Sequence, residues 1–120
     1  MKKKDRSDKL YLEDLLTAIN RIAEYIEGHN FDQLKQDNKT VDAVVRNFEI
    51  IGEASKNVSD TTKSRYPEIP WQEMYYLRNR VMHEYFGIDY EILWYISTYE
   101  IPANYEELVK IIRNVKGNHA

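Results

Sequence analysis

Apolar residues recur at three- and four-residue steps through the first part of the chain: Leu12, Leu15, Leu16, Ile19, Ile22, Ala23 and Ile26. On a helix turning about 100° per residue they form one stripe, with Asp14, Asn20, Arg21 and Glu24 mostly off it. The spacing predicts a first helix that opens at Ser7 or Asp8, either able to cap it, and runs to Gly28. A polar connection to Lys39 follows, with Phe31 and Leu34 as anchors onto the core. Val41, Val44, Val45, Phe48, Ile51 and Ser55 then mark a second helix from about Thr40 to Val58. Gly52 sits inside it, at a cost of about 1 kcal/mol relative to Ala. A glycine there permits close approach of another helix, either within the subunit or across a dimer interface.

Ser59 to Arg65 has room for one more short helical turn. Tyr66-Pro67-Glu68-Ile69-Pro70 forces an extended connection, because each proline restricts both itself and its predecessor. Pro70 or Trp71 opens a third helix carrying Met74, Leu77 and Val81 on one stripe and ending at Tyr85 or Phe86, before Gly87. Asp89 is a cap for a fourth, with Ile92, Leu93, Tyr95, Ile96 and Tyr99. Pro102 interrupts the pattern, and a last helix with Leu108, Val109, Ile111 and Ile112 runs to about Val115. No segment reads as a convincing strand, and no repeat or low-complexity stretch is present. The expected fold is an all-α, up-down bundle of four to five main helices in one domain over residues 8–115. Residues 1–7 are expected to form a disordered basic tail, and residues 116–120 to fray.

Composition narrows the function classes. Four glycines and three prolines in 120 residues favour long regular elements over a turn-rich β fold. The absence of cysteine excludes disulfides and Cys-based metal or nucleophile sites, and suits a reducing cytoplasm, the expected location. The longest apolar run, around Ile92 to Ile96, is far short of a membrane span. The basic start, Met1-Lys2-Lys3-Lys4-Asp5-Arg6, lacks the apolar stretch of a signal peptide. A formal net charge of -3 argues against a protein living on non-specific nucleic-acid affinity, but leaves room for a local basic cleft.

The chemistry concentrates in residues 77–87, Leu-Arg-Asn-Arg-Val-Met-His-Glu-Tyr-Phe-Gly. Arg78 offers a planar fork for a phosphate, His83 moves protons near neutral pH, and Tyr85 carries a modifiable hydroxyl. If the third helix runs through this stretch, Asn79 and His83 share a face, whereas Arg78 and His83 stand about 140° apart. Joint action on one phosphate then needs a distorted helix end, a long arginine reach, or residues from two subunits meeting at a two-fold axis. The plainer alternative is a surface pair, with a histidine favoured by the negative end of the helix dipole. His29 and His119 lie in a loop and a tail and carry no assigned role. Three histidines so placed give no metal-ligand pattern, and no Gly-rich phosphate loop is present.

Arg78, four residues, His83, one residue, Tyr85 is similar to the signature of the HEPN superfamily, in its HepT-like branch. Tyr11-Leu12-Glu13-Asp14 resembles that family's opening, and residues 46–54, Arg-Asn-Phe-Glu-Ile-Ile-Gly-Glu-Ala, resemble its second-helix block. Residues 71–89 resemble its third-helix block in order and spacing, so the likeness covers roughly residues 8–115. The chain departs at Glu84, where relatives often carry a small residue, which adds local negative charge.

The resemblance implies a HEPN-like bundle that pairs as a homodimer, with the signature segments lining a cleft. It further implies the toxin of a type VII-like toxin–antitoxin pair: a metal-independent endoribonuclease, without a cofactor, that cleaves RNA through Arg78 and His83. By the same resemblance a small nucleotidyltransferase antitoxin, MntA-like, transfers AMP to Tyr85 and silences it. Arg78 would hold phosphate oxygens, His83 would act as general base or acid, and Asn79 would orient the histidine or the phosphate. One histidine cannot readily be both base and acid, whereas a two-fold cleft supplies a second. The alternative reading is a non-catalytic helical companion of a nucleotidyltransferase that binds a nucleotide or substrate. A third is a helical dimerisation module.

Overall fold

Ser7 opens the first helix, its hydroxyl accepting from the Leu10 amide at 3.4 Å. The structure is a computed structural model that describes residues 7–116. Of the tails expected at residues 1–7 and 116–120, Ser7 caps the first helix and Lys116 ends the last, and the rest, His119 included, lie outside the described residues. Helix α1 (Asp8–Ile26) buries Leu12, Leu15, Ala18, Ile19 and Ile22. Leu16 and Ile26 are half-buried, while Ala23 faces solvent, so the buried stripe is turned toward Ala18. The helix stops at Ile26, short of Gly28: Glu27 leaves it with ψ 131°, and Gly28 follows at φ 82° in the turn.

The polar connection contains a short helix, α2 (Phe31–Lys35), closed by a capping box in which Asn30 and Gln33 each take the other's amide. Leu34 is fully buried, and Phe31 meets the edge of Trp94 with ring centres 6.2 Å apart. Asp37 then caps α3 (Asn38–Asn57), accepting from the Thr40 amide at 3.1 Å and the Thr40 hydroxyl at 2.7 Å. Its second oxygen also lies 3.0 Å from His29 Nε2, which ties the end of the first connection to the start of the long helix.

Helix α3 packs chiefly along α1, with Phe48 the largest fully buried side chain between the elements. Burying a Leu, Ile or Phe of this kind is worth about 1.5–3 kcal/mol each, so this pairing dominates the stability of the bundle. The expected extra turn is α4 (Asp60–Arg65). The Asp8 carboxylate accepts from the Ser59 amide at 3.0 Å and from the Ser59 and Thr62 hydroxyls, clamping the start of α1 to the start of α4.

The third helix departs from expectation. It breaks at Tyr76 (φ -100°, ψ 17°) into α5 (Trp71–Tyr75) and α6 (Leu77–Val81), and it ends at Val81 rather than at Tyr85 or Phe86. Residues 82–88 form a small antiparallel hairpin instead, β1 (Met82–His83) with β2 (Gly87–Ile88), pairing Met82 with Ile88 and His83 with Gly87. One turn beyond the apolar stripe Met74, Leu77, Val81 stand Glu84 and the amphipathic Tyr85, so a longer helix would gain little burial. The hairpin offers more. The Asp89 amide takes the Val81 carbonyl at 2.7 Å, and Gly87, at φ 78°, closes the three-residue Glu84-Tyr85-Phe86 connection.

Asp89 caps α7 (Tyr90–Tyr95) as expected. The chain then widens into a π-turn over Ile96–Glu100 before α8 (Ile101–Ala103) and α9 (Tyr105–Lys116). Pro102 has no amide hydrogen to give the Thr98 carbonyl, and the Ile101 amide reaches back five residues to Ile96 instead. Helix α9 returns along α1. The main rods are α1, α3, α5–α6, α7–α8 and α9, an all-α bundle as the periodicity predicts.

Gly52 faces the break in the third helix. A Cβ placed on it would lie 2.7 Å from the Tyr75 carbonyl oxygen, so the glycine admits α5 within the same subunit. Gly52→Ala should therefore lower stability even though Ala is the better helix former. The propensity gain of about 1 kcal/mol opposes an overpacking cost of about 1–3 kcal/mol against backbone that cannot rotate away. Urea denaturation should show a lower midpoint at unchanged slope; a higher midpoint would refute the packing account.

Hydrogen bonds from the Thr40 hydroxyl, then from His29 and the Thr40 amide, hold Asp37 down from 3.8 to about 2. A depressed carboxylate adds stability that is complete above its unfolded value and lost as pH falls through the folded one. Asp37→Ala should melt below the wild type at pH 7, and the gap in Tm should shrink between pH 4 and 2. A gap independent of pH over that window would show that the cap acts without its charge.

Candidate functional site

Helix α6 presents Arg78 and Asn79 toward α3, where Arg46, Glu49, Gly52 and Glu53 occupy the facing surface. Arg78 Nε donates to Glu49 Oε2 at 2.9 Å, across 29 residues of sequence. The other carboxylate oxygen lies 3.6 Å from Arg46 Nη1, so one glutamate serves two arginines. An open groove of about 270 Å³ runs past them, lined by Phe48, Glu49, Gly52, Glu53, Tyr75, Tyr76, Arg78 and Asn79. A second groove of about 360 Å³ lies between α1 and α3, lined by Tyr11, Asp14, Arg46, Glu49, Ile50, Glu53 and Ala54. Glu49 and Glu53 belong to both and form the ridge between them.

His83 is held elsewhere. It sits on β1, with Nε2 3.4 Å from Asp89 Oδ2. Asp89 caps α7 with its other oxygen, and the Ile92 amide, opposed by partial burial and helped by His83, holds its carboxyl below the usual value. The face that Asn79 and His83 would share on a continuous helix does not exist, because the chain has left the helix at Met82. For the same reason the 140° separation of Arg78 and His83 does not apply. Each is held by its own carboxylate, Arg78 by Glu49 on α3 and His83 by Asp89 at the head of α7. The groove that contains Arg78 and Asn79 is not lined by His83 or Tyr85.

Tyr85 stands at the tip of the hairpin and is 88% exposed, with Phe86 beside it equally open. A hydroxyl so placed is accessible to a modifying enzyme. Arg80, the segment's other arginine, is committed to structure. Its Nη1 and Nη2 each donate to an oxygen of Glu100 at 2.8 Å, pinning the π-turn to α6. That pairing raises the arginine's pKa and lowers the glutamate's. Among the described residues, no three His, Cys, Asp or Glu side chains cluster as metal ligands would. Among the same residues, no helix is long and apolar enough to cross a membrane.

Sequence reasoning missed Glu49, and it saw Asp89 only as a helix cap. The charge pattern Arg46–Glu49 was visible at an i,i+3 spacing, but its link to Arg78 depends on how α6 lies against α3.

The family described as Ribonuclease HepT-like matches residues 15–111. The "Putative RNase MJ0127" of Methanocaldococcus jannaschii is 39% identical over 117 residues, covering 98% of this chain and 95% of that protein. The "Probable ribonuclease HepT" of Thermococcus cleftensis is 46% identical over 98 residues, covering 82% and 89%. The "Putative RNase TTE0752" of Caldanaerobacter subterraneus subsp. tengcongensis is 32% identical over 111 residues, covering 92% and 99%. No solved structure matches. The family match takes in α3, α6 and the hairpin, the elements that carry Glu49, Arg78, His83 and Tyr85, and the chain belongs to the HepT-like ribonuclease family of the HEPN superfamily.

Proposed function

We propose that the protein is a metal-independent endoribonuclease, the toxin of a pair whose antitoxin is a small nucleotidyltransferase. The observation that carries the reading is the placement of Arg78 in a family member: it lines an open groove and gives only its Nε to Glu49. The Nη edge is then the one a phosphate would meet, in the bidentate geometry that suits a guanidinium.

The reaction needs no metal in principle. The ribose 2′-oxygen attacks the adjacent phosphorus, the O2′–P bond forms as the P–O5′ bond breaks, and a cyclic phosphate results. One group takes the 2′-hydroxyl proton, another gives a proton to the departing 5′-oxygen, and a fixed cation stabilises the charge on the phosphoryl oxygens. His83 is our candidate for proton transfer, Arg78 for the cation, and Asn79 for orienting the phosphate from the same groove. Asp89 supports His83 by favouring the tautomer with the proton on Nε2 or, after proton uptake, by pairing with the imidazolium. In a homodimer with the two clefts joined across the two-fold axis, the second histidine serves as the second proton group. Dimerisation is then a requirement of the chemistry.

Tyr85 is proposed as the off-switch. Its oxygen attacks the α-phosphorus of ATP on the partner enzyme, pyrophosphate leaves, and the phenol proton goes to solvent or a base of that enzyme. AMP on so exposed a hydroxyl, two residues from His83, puts a bulky anion where an RNA phosphate would approach.

His83→Ala and Arg78→Ala should each slow RNA cleavage by about 100-fold or more with circular dichroism unchanged. A folded variant of either kind that cleaves at the wild-type rate would remove that residue from the mechanism, and nucleotide binding without any cleavage by the wild type would favour the non-catalytic companion. Incubation with the neighbour-encoded nucleotidyltransferase and ATP should add AMP to the Tyr85 peptide and stop cleavage. Tyr85→Phe should stay active and resist silencing; AMP found only on other residues would refute the switch.

A further inference from the structure

We propose that Glu49 is the positioning residue for Arg78, holding the guanidinium by Nε so that its Nη edge faces the groove. The inference rests on the reading of Arg78 as the phosphate cation and goes beyond it, since the signature segment does not contain Glu49.

Arg78 stands on a five-residue helix, and its side chain is 48% exposed. A guanidinium on a long, half-exposed stem samples many rotamers, a freedom that must be lost before it can grip a phosphate. The 2.9 Å bond to Glu49 removes much of that freedom in advance. The anchor is itself firm. Glu49 lies on the 20-residue α3, next to the buried Phe48, and Arg46 approaches its second oxygen at 3.6 Å. Gly52 lies three residues further along the same face and admits the Tyr75 carbonyl, which brings α6 within reach of the carboxylate. One face of α3 therefore sets both the distance between the helices and the direction of Arg78.

The charge of Glu49 works against simple RNA affinity. A carboxylate beside the cation weakens its pull on any phosphate, so a residue selected for binding alone would not be acidic. A gain in alignment at the expense of attraction predicts a separation of kinetic constants. Glu49→Ala should lower kcat by tenfold or more while KM stays level or falls. Glu49→Gln keeps an oxygen that can accept from Nε and should recover most of kcat. In an Arg78→Ala background, Glu49→Ala should have no further effect.

The full-length chain, labelled with 15N-arginine, gives a readout that does not depend on cleavage. The Nε–Hε resonance of Arg78, assigned by its loss in Arg78→Lys, should be shifted downfield and protected from exchange in the wild type and in Glu49→Gln, and neither in Glu49→Ala. The proposal is overturned by unchanged kcat in Glu49→Ala, by equal loss in the Gln and Ala variants, by a KM rise matching the kcat loss, or by an unprotected wild-type resonance. If instead Arg78→Ala cleaves normally while the resonance behaves as expected, the phosphate role of Arg78 fails and the contact stands.

Discussion

The site depends on how closely the third helix can approach α3. With the Tyr75 carbonyl oxygen where a Cβ on residue 52 would come to 2.7 Å, only glycine leaves room. That contact is short because backbone meets backbone, and it brings α6 near enough for a glutamate on one helix to reach an arginine on the other. As a surface ion pair, Glu49–Arg78 adds little to stability, about 0–1 kcal/mol for exposed pairs. Its importance is geometric. The energy that holds the two helices in register comes from Phe48, Met74, Leu77 and Val81 beneath them, and the ion pair converts that register into a direction for one guanidinium.

The early end of α6 has a second consequence. On a helix continued to residue 86, His83 would have been fixed relative to Arg78 by helical geometry alone. The hairpin separates the two, so that Arg78 answers to α3 and His83 answers to Asp89 and α7. Asp89 has two roles there, since its amide closes on the Val81 carbonyl and its carboxylate caps α7 while facing His83. The Arg80–Glu100 fork braces the same corner by joining α6 to the π-turn. A five-residue motif spacing is thus built from two elements with independent supports.

What the chain discloses in advance follows the range of the interactions. The stripes of α1 and α3 reflect local periodicity against one core, and they were legible to within two residues at most ends. Gly52 was legible as a close approach, but whether the neighbour was intramolecular needed the fold. The end of α6 was misread because Gly87 fits two rules, the left-handed residue after a helix and the left-handed residue closing a short hairpin. The charged Glu84 on the stripe was the signal that separates them, because a helix continued past Val81 would gain little burial. Glu49–Arg78 was not legible at all. Charge pairing between elements has no period, and a sequence with twenty acidic residues offers many partners for any arginine.

The same abundance of acids bears on how this chain could handle RNA. With a formal charge of -3, its average field repels a polyanion, so productive contact must come from a small region in which cations are arranged to act together. Arg46 and Arg78 converge on Glu49, and Glu53 lines the same grooves, so the two cations there are balanced by two carboxylates, while Arg80 is neutralised by Glu100. Such a site gains little from long-range steering and much from alignment at contact. A ribonuclease organised this way would bind RNA weakly and depend on alignment at contact for its rate.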